Sequence, residues 1–525
     1  MRRHTILIGV LALLIGISVP VVGARQGGGK ARTLTREALE DKIRGGWAGQ
    51  MIGVSFGAPT EFKSNGKIIE GEIKWTPDMV SNSIVQDDLY VEMTFTEVMD
   101  RIGLNATSEQ YGDAFKDAKY QLWHANAGAR RLLNAGVKAP MSGHPKYNIH
   151  ANDIDFQIES DFIGMMTPGL PQEANKYADR VGHVMNYGDG VYGGMFFSGM
   201  YAAAFFETDP RVVVERGLAS IPAGSGYANV IRDVLAWSAR YPDDWKKTWQ
   251  LIEDKWDRND VCPDGALAGF NIDASLNGAY VALGLLYGKG DFARTLEVST
   301  RAGQDSDCNP SSAGGVLGVM LGYHGIPETW KSGIAKIADQ KFDFTQYSFN
   351  SITDSTVARA LKVIKMAGGT VTANGLTIPY QAPKAARLEQ WNPGVPDKIV
   401  KFDDAAWQWK SAWVDQANGR DVRTVIGKTA NRAGAEVSLT FNGVAIALVG
   451  ELSQNGGRAD VYLDGKKAGQ LDAFIAERTH DNALWHAYGL TPGAHTVRIV
   501  TRDDADARSK GTTILIQRAI VYRAG

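Results

Sequence analysis

The sequence predicts a multidomain protein, a large all-α domain followed by a β-sandwich domain. Three observations carry this reading. The chain has 525 residues, more than a single hydrophobic core organises. Residues 35–365 repeat apolar positions at close to 3.6-residue spacing, with little alternation of the strand kind. From residue 401 onward the pattern changes to short alternating runs divided by turn residues.

Taken in order, residues 1–24 read as a signal peptide. Arg2 and Arg3 precede an apolar run over residues 6–22, and Val22-Gly23-Ala24 supplies the small-residue pattern of a cleavage site. The mature chain is expected to begin near Arg25, in the periplasm or outside the cell, with no stable membrane insertion after cleavage. Within residues 35–365, helices are expected over 84–98, 228–239 and 316–323. Asp209-Pro210 and Asn309-Pro310 each mark a helix start, because proline is well suited to the first turn. Residues 366–400 hold Gly368-Gly369, Asn374-Gly375 and four prolines, and read as a linker with room for a short strand over 371–378. Residues 401–525 read as the sandwich. Two alternating runs flank Asn442-Gly443, which is a hairpin signal, and Asp464-Gly465 closes the run over 459–463.

Charge and cysteine usage narrow the function. The net charge is -2, from 56 basic and 58 acidic residues, and no Lys/Arg run is present. A nucleic-acid partner is not expected. The two cysteines are Cys262 and Cys308. An exported chain could join them, but one of this size does not need the staple. No Cys/His spacing suggests zinc.

Two acidic clusters stand at predicted helix starts: Gln86-Asp87-Asp88, and Gly303-Gln304-Asp305-Ser306-Asp307-Cys308. One carboxylate is enough to cap a helix and meet its dipole, yet each cluster has two. Brought together, the four would repel strongly unless a cation neutralised them. Oxygen-rich sets suit Mg²⁺, with Mn²⁺ or Ca²⁺ as alternatives.

These motifs, with the stretch GVSFGAPTEF over residues 53–62 and the continuation NPSSAGGVLGVMLGYHGIPETW after Cys308, resemble the ADP-ribosylglycohydrolase family in order and interval, over roughly residues 37–340. The resemblance implies one or two divalent ions held by Asp87, Asp88, Asp305 and Asp307, with Gln86 and Cys308 at the positions where the family has threonine. It implies Glu61 as the catalytic carboxylate, with Asp305 as a second candidate. A glutamine carbonyl can still serve a hard cation, whereas a thiol is a poor ligand for Mg²⁺. Val54 stands where the family has an aspartate. Asp161, His183 and Asp189 are candidates for substrate contact, with Trp123, His124 and Asn126 as a weaker patch. Each also has an ordinary structural explanation as a cap or core group.

The C-terminal region resembles the galactose-binding-like sandwiches of secreted glycosidases, in VYLDGKKAGQLD, GLTPGAHTVRI and SKGTTILIQRAIV. Trp407, Trp409, Trp413 and Trp485 are as compatible with core packing as with sugar stacking. The function implied is metal-dependent hydrolysis of a glycosidic bond, with water attacking the anomeric carbon of a chelated ribosyl or similar sugar. Export favours a glycan or glycoside as the alternative substrate, and a non-catalytic carbohydrate- or metal-binding protein is the third reading. All candidate site residues precede residue 366, so catalysis is expected in the helical domain alone.

Overall fold

Helix Arg36–Gly57 begins where Thr35 accepts a hydrogen bond from the Ala38 amide at 3.0 Å. Four of its five glycines fall at 45, 49, 53 and 57, four residues apart and so on one face. In the computed structural model, which describes residues 30–257, 260–410, 412–419, 421, 423–476 and 483–525, that face lies directly against helix Cys308–Leu321. A Cβ on Gly49 would stand 2.0 Å from the Gly314 carbonyl oxygen, one on Gly53 2.1 Å from that of Pro310, and one on Gly57 2.1 Å from that of Ser306. The facing helix answers with Gly314 and Gly318. The two backbones touch, and the first helix therefore ends beside the loop that precedes the second.

Helices Asp87–Ile102, Asp189–Ala204, Ala274–Gly288 and Phe349–Met366 pack around this pair. One large apolar core results, including Trp47, Phe95, Phe196 and Leu283. Asp209 caps helix Pro210–Leu218 as the sequence indicates. The helix expected at Asn309-Pro310 begins slightly earlier, at Cys308, with the proline in its first turn. The expected signal peptide lies outside the described residues. Among the described residues, no helix is long and apolar enough to cross a membrane.

Residues 366–400 are tied down along their length. Gly375–Ile378 is the middle strand of a small sheet between Arg32–Thr35 and Thr370–Val371. The following segment crosses the helical domain. The Asn175 amide donates to the Lys384 carbonyl at 3.0 Å, and the Tyr192 hydroxyl donates to that of Arg387 at 2.9 Å. Val395–Lys401 is already a strand of the C-terminal domain, paired with Ile514–Arg523.

That domain consists of two antiparallel sheets. The order in one is Lys466–Asp472, Arg458–Leu463, Gly493–Thr501, Glu436–Gly443, Trp407–Trp409. The other runs Ala483–Ala487, Ala445–Glu451, Ile514–Arg523, Val425–Ala430, Val414–Ala417. The hairpin expected at Asn442-Gly443 is not formed. Glu436–Gly443 pairs with Gly493–Thr501, while Ala445–Glu451 pairs with Ile514–Arg523 in the other sheet. Glu436–Gly443 buries alternate residues and Ala445–Glu451 buries all but its last, but each finds its partner elsewhere, and the chain crosses between sheets at Val444. Asp464-Gly465 does form a hairpin turn, with both residues at positive φ (50° and 77°). Trp407 is buried in the sandwich core, with Trp409 and Trp413 packed partly buried against it, and Trp485 is also part-buried.

The sandwich sits on the helical domain. Ala445, Ala447, Val449, Ile520 and Tyr522 meet Ile149, Val261 and Ala266 in one apolar cluster. The Tyr522 hydroxyl donates to the Val261 carbonyl at 2.8 Å, and His486 Nε2 bonds the Pro145 carbonyl at 2.7 Å.

Candidate active site

Close contact of the two glycine-lined helices sets the first part of the site. Beyond Gly57 the chain makes a short turn through Ala58–Thr60 and reaches Glu61. The Phe62 amide donates to the Gln304 carbonyl at 3.1 Å, the Gln304 amide returns a bond to Ser64 at 3.2 Å, and Thr60 and Ser306 share a hydroxyl contact at 2.8 Å. Phe62 and Gln304 both hold positive φ, 49° and 55°, a conformation seldom taken by residues other than glycine. The Gln304 side chain is itself fixed, accepting from the Asn271 amide at 2.9 Å and donating to the Gly269 carbonyl at 3.0 Å.

Asp87 is the first residue of helix Asp87–Ile102, with Gln86 at the cap position. The two acidic clusters meet. Ligand atoms of Asp87, Asp88 and Cys308 lie within 4.8 Å of one another, as do those of Asp305, Asp307 and Cys308. Cys308 is common to both groups. Asp88, Asp305 and Asp307 are buried, and Asp88 Oδ1 and Oδ2, Asp305 Oδ1 and Asp307 Oδ1 have no hydrogen-bond partner among the described residues.

Burial raises the pKa of Asp88 well above the usual carboxylate range, and the charges of Asp87 and Asp307 raise it further. Asp305 and Asp307 are raised likewise, first by burial and then by neighbouring carboxylates. Asp87 is raised by burial against the opposing effect of backbone hydrogen bonds. Buried, unpaired oxygens at such density are costly without a cation, and the donor set fits a hard divalent one. Burial and then the surrounding carboxylates also push up the Cys308 thiol, which suits a neutral S–H at the junction. Glu61 is exposed as a residue, but its carboxyl faces the cavity, where desolvation and then the charge of Asp87 raise its pKa. The Gln86 side chain donates to Asn82 Oδ1 at 2.7 Å and borders the same cavity.

The cavity has a volume of about 460 Å³. Glu61, Gln86, Asp87, Asp305 and Cys308 form one wall; Trp123, His124, Asn126, Asp155 and Asp264 form another; Phe62, Tyr90 and Phe270 provide apolar surface. The Phe62 and Phe270 rings meet at 4.9 Å, and Trp123 is 43% exposed, so a sugar or base face could stack at the mouth. Asp155 accepts from the amides of Ala125 and Asn126 at 3.1 and 3.0 Å and anchors helix His124–Asn134.

The three residues expected to touch substrate lie elsewhere. Asp161 is fully buried behind the carboxylate cluster. Its Oδ2 accepts from Gln50 at 2.7 Å and from the Tyr201 hydroxyl at 2.8 Å, and burial pushes its pKa to about 8. Gln50 also donates to Glu92 at 3.1 Å, one helical turn after Asp88. His183 has both ring nitrogens engaged, Nδ1 with the Asp179 carbonyl at 2.6 Å and Nε2 with Glu389 at 3.0 Å. Asp189 opens helix Asp189–Ala204, and burial pushes its pKa to about 7. None of the three is among the cavity-lining residues. Sequence reasoning passed over Glu92, whose i+4 spacing from Asp88 was a usable signal, and Asp155 and Asp264, which carried none.

A second cluster borders the cavity. Ligand atoms of His124, His150, Asp153 and Cys262 lie within 4.8 Å of one another. Cys262 and Cys308 are both free.

A family model described as ADP-ribosylglycohydrolase matches residues 35–362. The chain is 32% identical over 170 residues to a protein of Flavonifractor plautii named A type blood N-acetyl-alpha-D-galactosamine deacetylase, covering 32% of this chain and 21% of that one. It is 41% identical over 70 residues to the same organism's A type blood alpha-D-galactosamine galactosaminidase, covering 13% and 6%. The chain thus spans about a fifth or less of the length of these curated relatives. Among solved structures it is similar to one titled ADP-ribosylglycohydrolase-related protein complex, with TM-score 0.40 and 13% identity over 62% of this chain and 99% of that chain. The family model spans more than half of the chain, from the Thr35 cap through the site and into helix Phe349–Met366; the chain belongs to the ADP-ribosylglycohydrolase family.

Proposed function

We propose that the chain is an exported, metal-dependent hydrolase that cleaves a glycosidic bond in a glycan or glycoside. The observation that carries this is the meeting of four carboxylates, three of them with unpartnered buried oxygens, beside a cavity lined by Asp87 and Asp305 together with Glu61 and apolar rings. Asp87, Asp88, Asp305 and Asp307 would hold one or two Mg²⁺-class ions, with the Gln86 carbonyl beside them. Such an ion supplies orientation of sugar hydroxyls and stabilisation of developing charge when bound.

The chain's own groups do the rest. Glu61, with its raised pKa, accepts a proton at its carboxylate from the attacking water. Phe62, Phe270 and Trp123 hold the sugar face and exclude bulk water. The buried Gln50–Glu92–Asp161 network keeps the Asp88 helix in place. Export rests on the sequence alone, on Arg2, Arg3 and the apolar run that follows. The names of the Flavonifractor relatives favour an amino-sugar glycan over an ADP-ribosyl conjugate. The first name also favours a second reading, removal of an acyl group from an amino sugar.

The test is calorimetry of the full chain with Mg²⁺, Mn²⁺ and Ca²⁺, followed by assays on galactosaminide glycosides, N-acetylated amino sugars and an ADP-ribosylated peptide. Binding of a divalent ion, abolished in Asp305→Asn/Asp307→Asn, with release of the aglycone from a glycoside, is the expected result. Metal binding that survives the double substitution would refute the site. Free acetate as the sole product would refute the glycosidic reading in favour of deacylation, and ADP-ribose as the sole product would refute the glycan or glycoside as substrate in favour of an ADP-ribosyl conjugate.

A further inference from the structure

The geometry points to a second metal site, for a borderline-soft divalent ion of the Zn²⁺ kind, formed by His124, His150, Asp153 and Cys262. It is separate from the carboxylate cluster and shares no residue with it.

Three parts of the fold bring these residues together. His124 is the first residue of helix His124–Asn134. His150 and Asp153 lie in a turn closed by the Asp153 amide donating to the His150 carbonyl at 2.9 Å. Cys262 lies in a loop ordered by Asp260, which accepts from the Cys262 amide at 2.8 Å and the Ile272 amide at 3.0 Å. That loop is fixed to the turn by the Ile154 amide donating to the Ile272 carbonyl at 3.0 Å.

Hydrogen bonding alone does not account for the cluster. His150 Nδ1 stands 2.7 Å from Asp153 Oδ2 and 3.2 Å from Cys262 Sγ. One nitrogen carries either one proton or one lone pair, so it cannot satisfy both partners fully. A catalytic Cys–His–Asp arrangement would use opposite ring nitrogens; here both partners converge on the same one. Cys262 is also fully buried, out of reach of a substrate. His124 Nδ1 lies 4.0 Å from Asp153 Oδ2 and 3.3 Å from Asp264 Oδ2, and the buried Asp153 Oδ1 lacks a hydrogen-bond partner among the described residues.

Two imidazoles, a thiol and a carboxylate within 4.8 Å of one another are the donor types that tetrahedral zinc takes, and shifts of under about 1 Å would bring them to its geometry. Zn–N near 2.0–2.1 Å and Zn–S near 2.3 Å set ligand atoms about 3.4–3.6 Å apart. Nitrogen and sulfur donors select such an ion over Mg²⁺ or Ca²⁺. Four protein ligands make a closed, structural site. On binding, the Cys262 thiol loses its proton to solvent and the thiolate bonds the ion; both imidazoles bind as neutral rings.

The ion would fasten the Cys262 loop to the helical domain where the sandwich is seated, since Val261 and Ile149 belong to the interdomain cluster. It would also hold His124, and with it Asp264 at 3.3 Å, on the cavity wall.

Cobalt(II) is the probe, because a thiolate ligand gives a charge-transfer band and tetrahedral coordination gives intense visible absorption. The full chain, stripped with chelator, is titrated with Co²⁺ in the presence of excess Mg²⁺. One equivalent is expected to develop both signals, and Zn²⁺ to displace it. Cys262→Ser abolishes the thiolate band, whereas Cys308→Ser keeps it. Should Cys262→Ser fail to fold by circular dichroism, His124→Ala is read instead, with Zn²⁺ affinity expected to fall by about tenfold or more. Absence of the band from the full chain, a band lost in Cys308→Ser but kept in Cys262→Ser, or unchanged Zn²⁺ affinity in His124→Ala would overturn the site.

Discussion

Glu61 is distinguished from the four aspartates by its surroundings. The aspartates are raised chiefly by burial within a cluster, whereas Glu61 sits at the rim, exposed as a residue, with its carboxyl turned to the cavity. A rim carboxylate can exchange protons with water, as a base must. Glu61→Gln keeps the shape and removes the basicity. It is expected to lower kcat by about 10²- to 10⁴-fold while leaving Mg²⁺ affinity in calorimetry nearly unchanged. Loss of metal affinity in step with activity would instead make Glu61 a ligand. At this scale the sequence was informative where chemistry is local. Two carboxylates at each of two helix starts exceed what capping needs, and that excess was visible in Asp87-Asp88 and Asp305/Asp307. The meeting of the pairs was not visible, because it depends on which helices pack together. His150, Asp153 and Cys262 were hidden for the same reason: their juxtaposition exists only once a turn and a distant loop are joined at Ile154 and Ile272. Asp161, His183 and Asp189 looked chemically apt, yet their partners are Gln50 and Tyr201, Glu389, and the amides at Gly226 and Tyr227.

At the scale of elements, the glycine stripe of the first helix explains how the site is assembled. Glycine in a helix interior is unfavourable by roughly 1 kcal/mol relative to alanine, so four on one face imply a compensating contact. That contact is the backbone of helix Cys308–Leu321, and it places the end of one helix, with Glu61, beside the start of the other, with Asp305 and Asp307. Gly49→Ala tests this, because its Cβ would stand 2.0 Å from the Gly314 carbonyl oxygen and 2.4 Å from its carbon. Backbone atoms of a packed helix cannot step aside as a side chain can. A destabilisation of at least about 3 kcal/mol by urea unfolding is expected. A loss below about 1 kcal/mol would mean that the helices separate readily and that the contact does not position the site. The helical period and the position of the break near residue 366 were legible because each is a local pattern. The supposed hairpin at Asn442-Gly443 was misleading because alternation reports only which face is buried. Which strand becomes the neighbour depends on the two-sheet topology, and there the chain changes sheets.

For the whole molecule, the division of labour between domains is indirect. Among the described residues no sandwich residue lines the cavity, yet the sandwich backs the segments that carry His150 and Cys262. Between the two domains, residues 381–389 cross the helical domain as a strap, held in part by the partly buried ionic contact of His183 with Glu389 at 3.0 Å. Burial alone would lower the His183 pKa; the hydrogen bond and charge of Glu389 outweigh it and raise the pKa above 6.5. For Glu389, burial opposes but the bond to His183 prevails, and its pKa falls below 4.5. The Asp179 carboxylate, 3.6 Å from His183 Nδ1, adds to the first shift, and His144 adds to the second. A raised histidine stabilises fully below its unfolded pKa near 6.5 and ceases to do so as pH rises through the folded value. A lowered carboxylate stabilises above its unfolded pKa near 4.5 and ceases to do so as pH falls through the folded value. Both contributions therefore coincide between about pH 4.5 and 6.5. Glu389→Gln is expected to cost about 1 kcal/mol at about pH 5.5, with the deficit narrowing toward pH 9 as the histidine loses its charge. Urea unfolding of both proteins at about pH 5.5, 7.5 and 9 measures it. Glu389 also accepts from the Gly188 amide at 3.0 Å, a bond that does not depend on the histidine's charge. A deficit of equal size at all three pH values would assign the strap's attachment to that bond rather than to the ion pair.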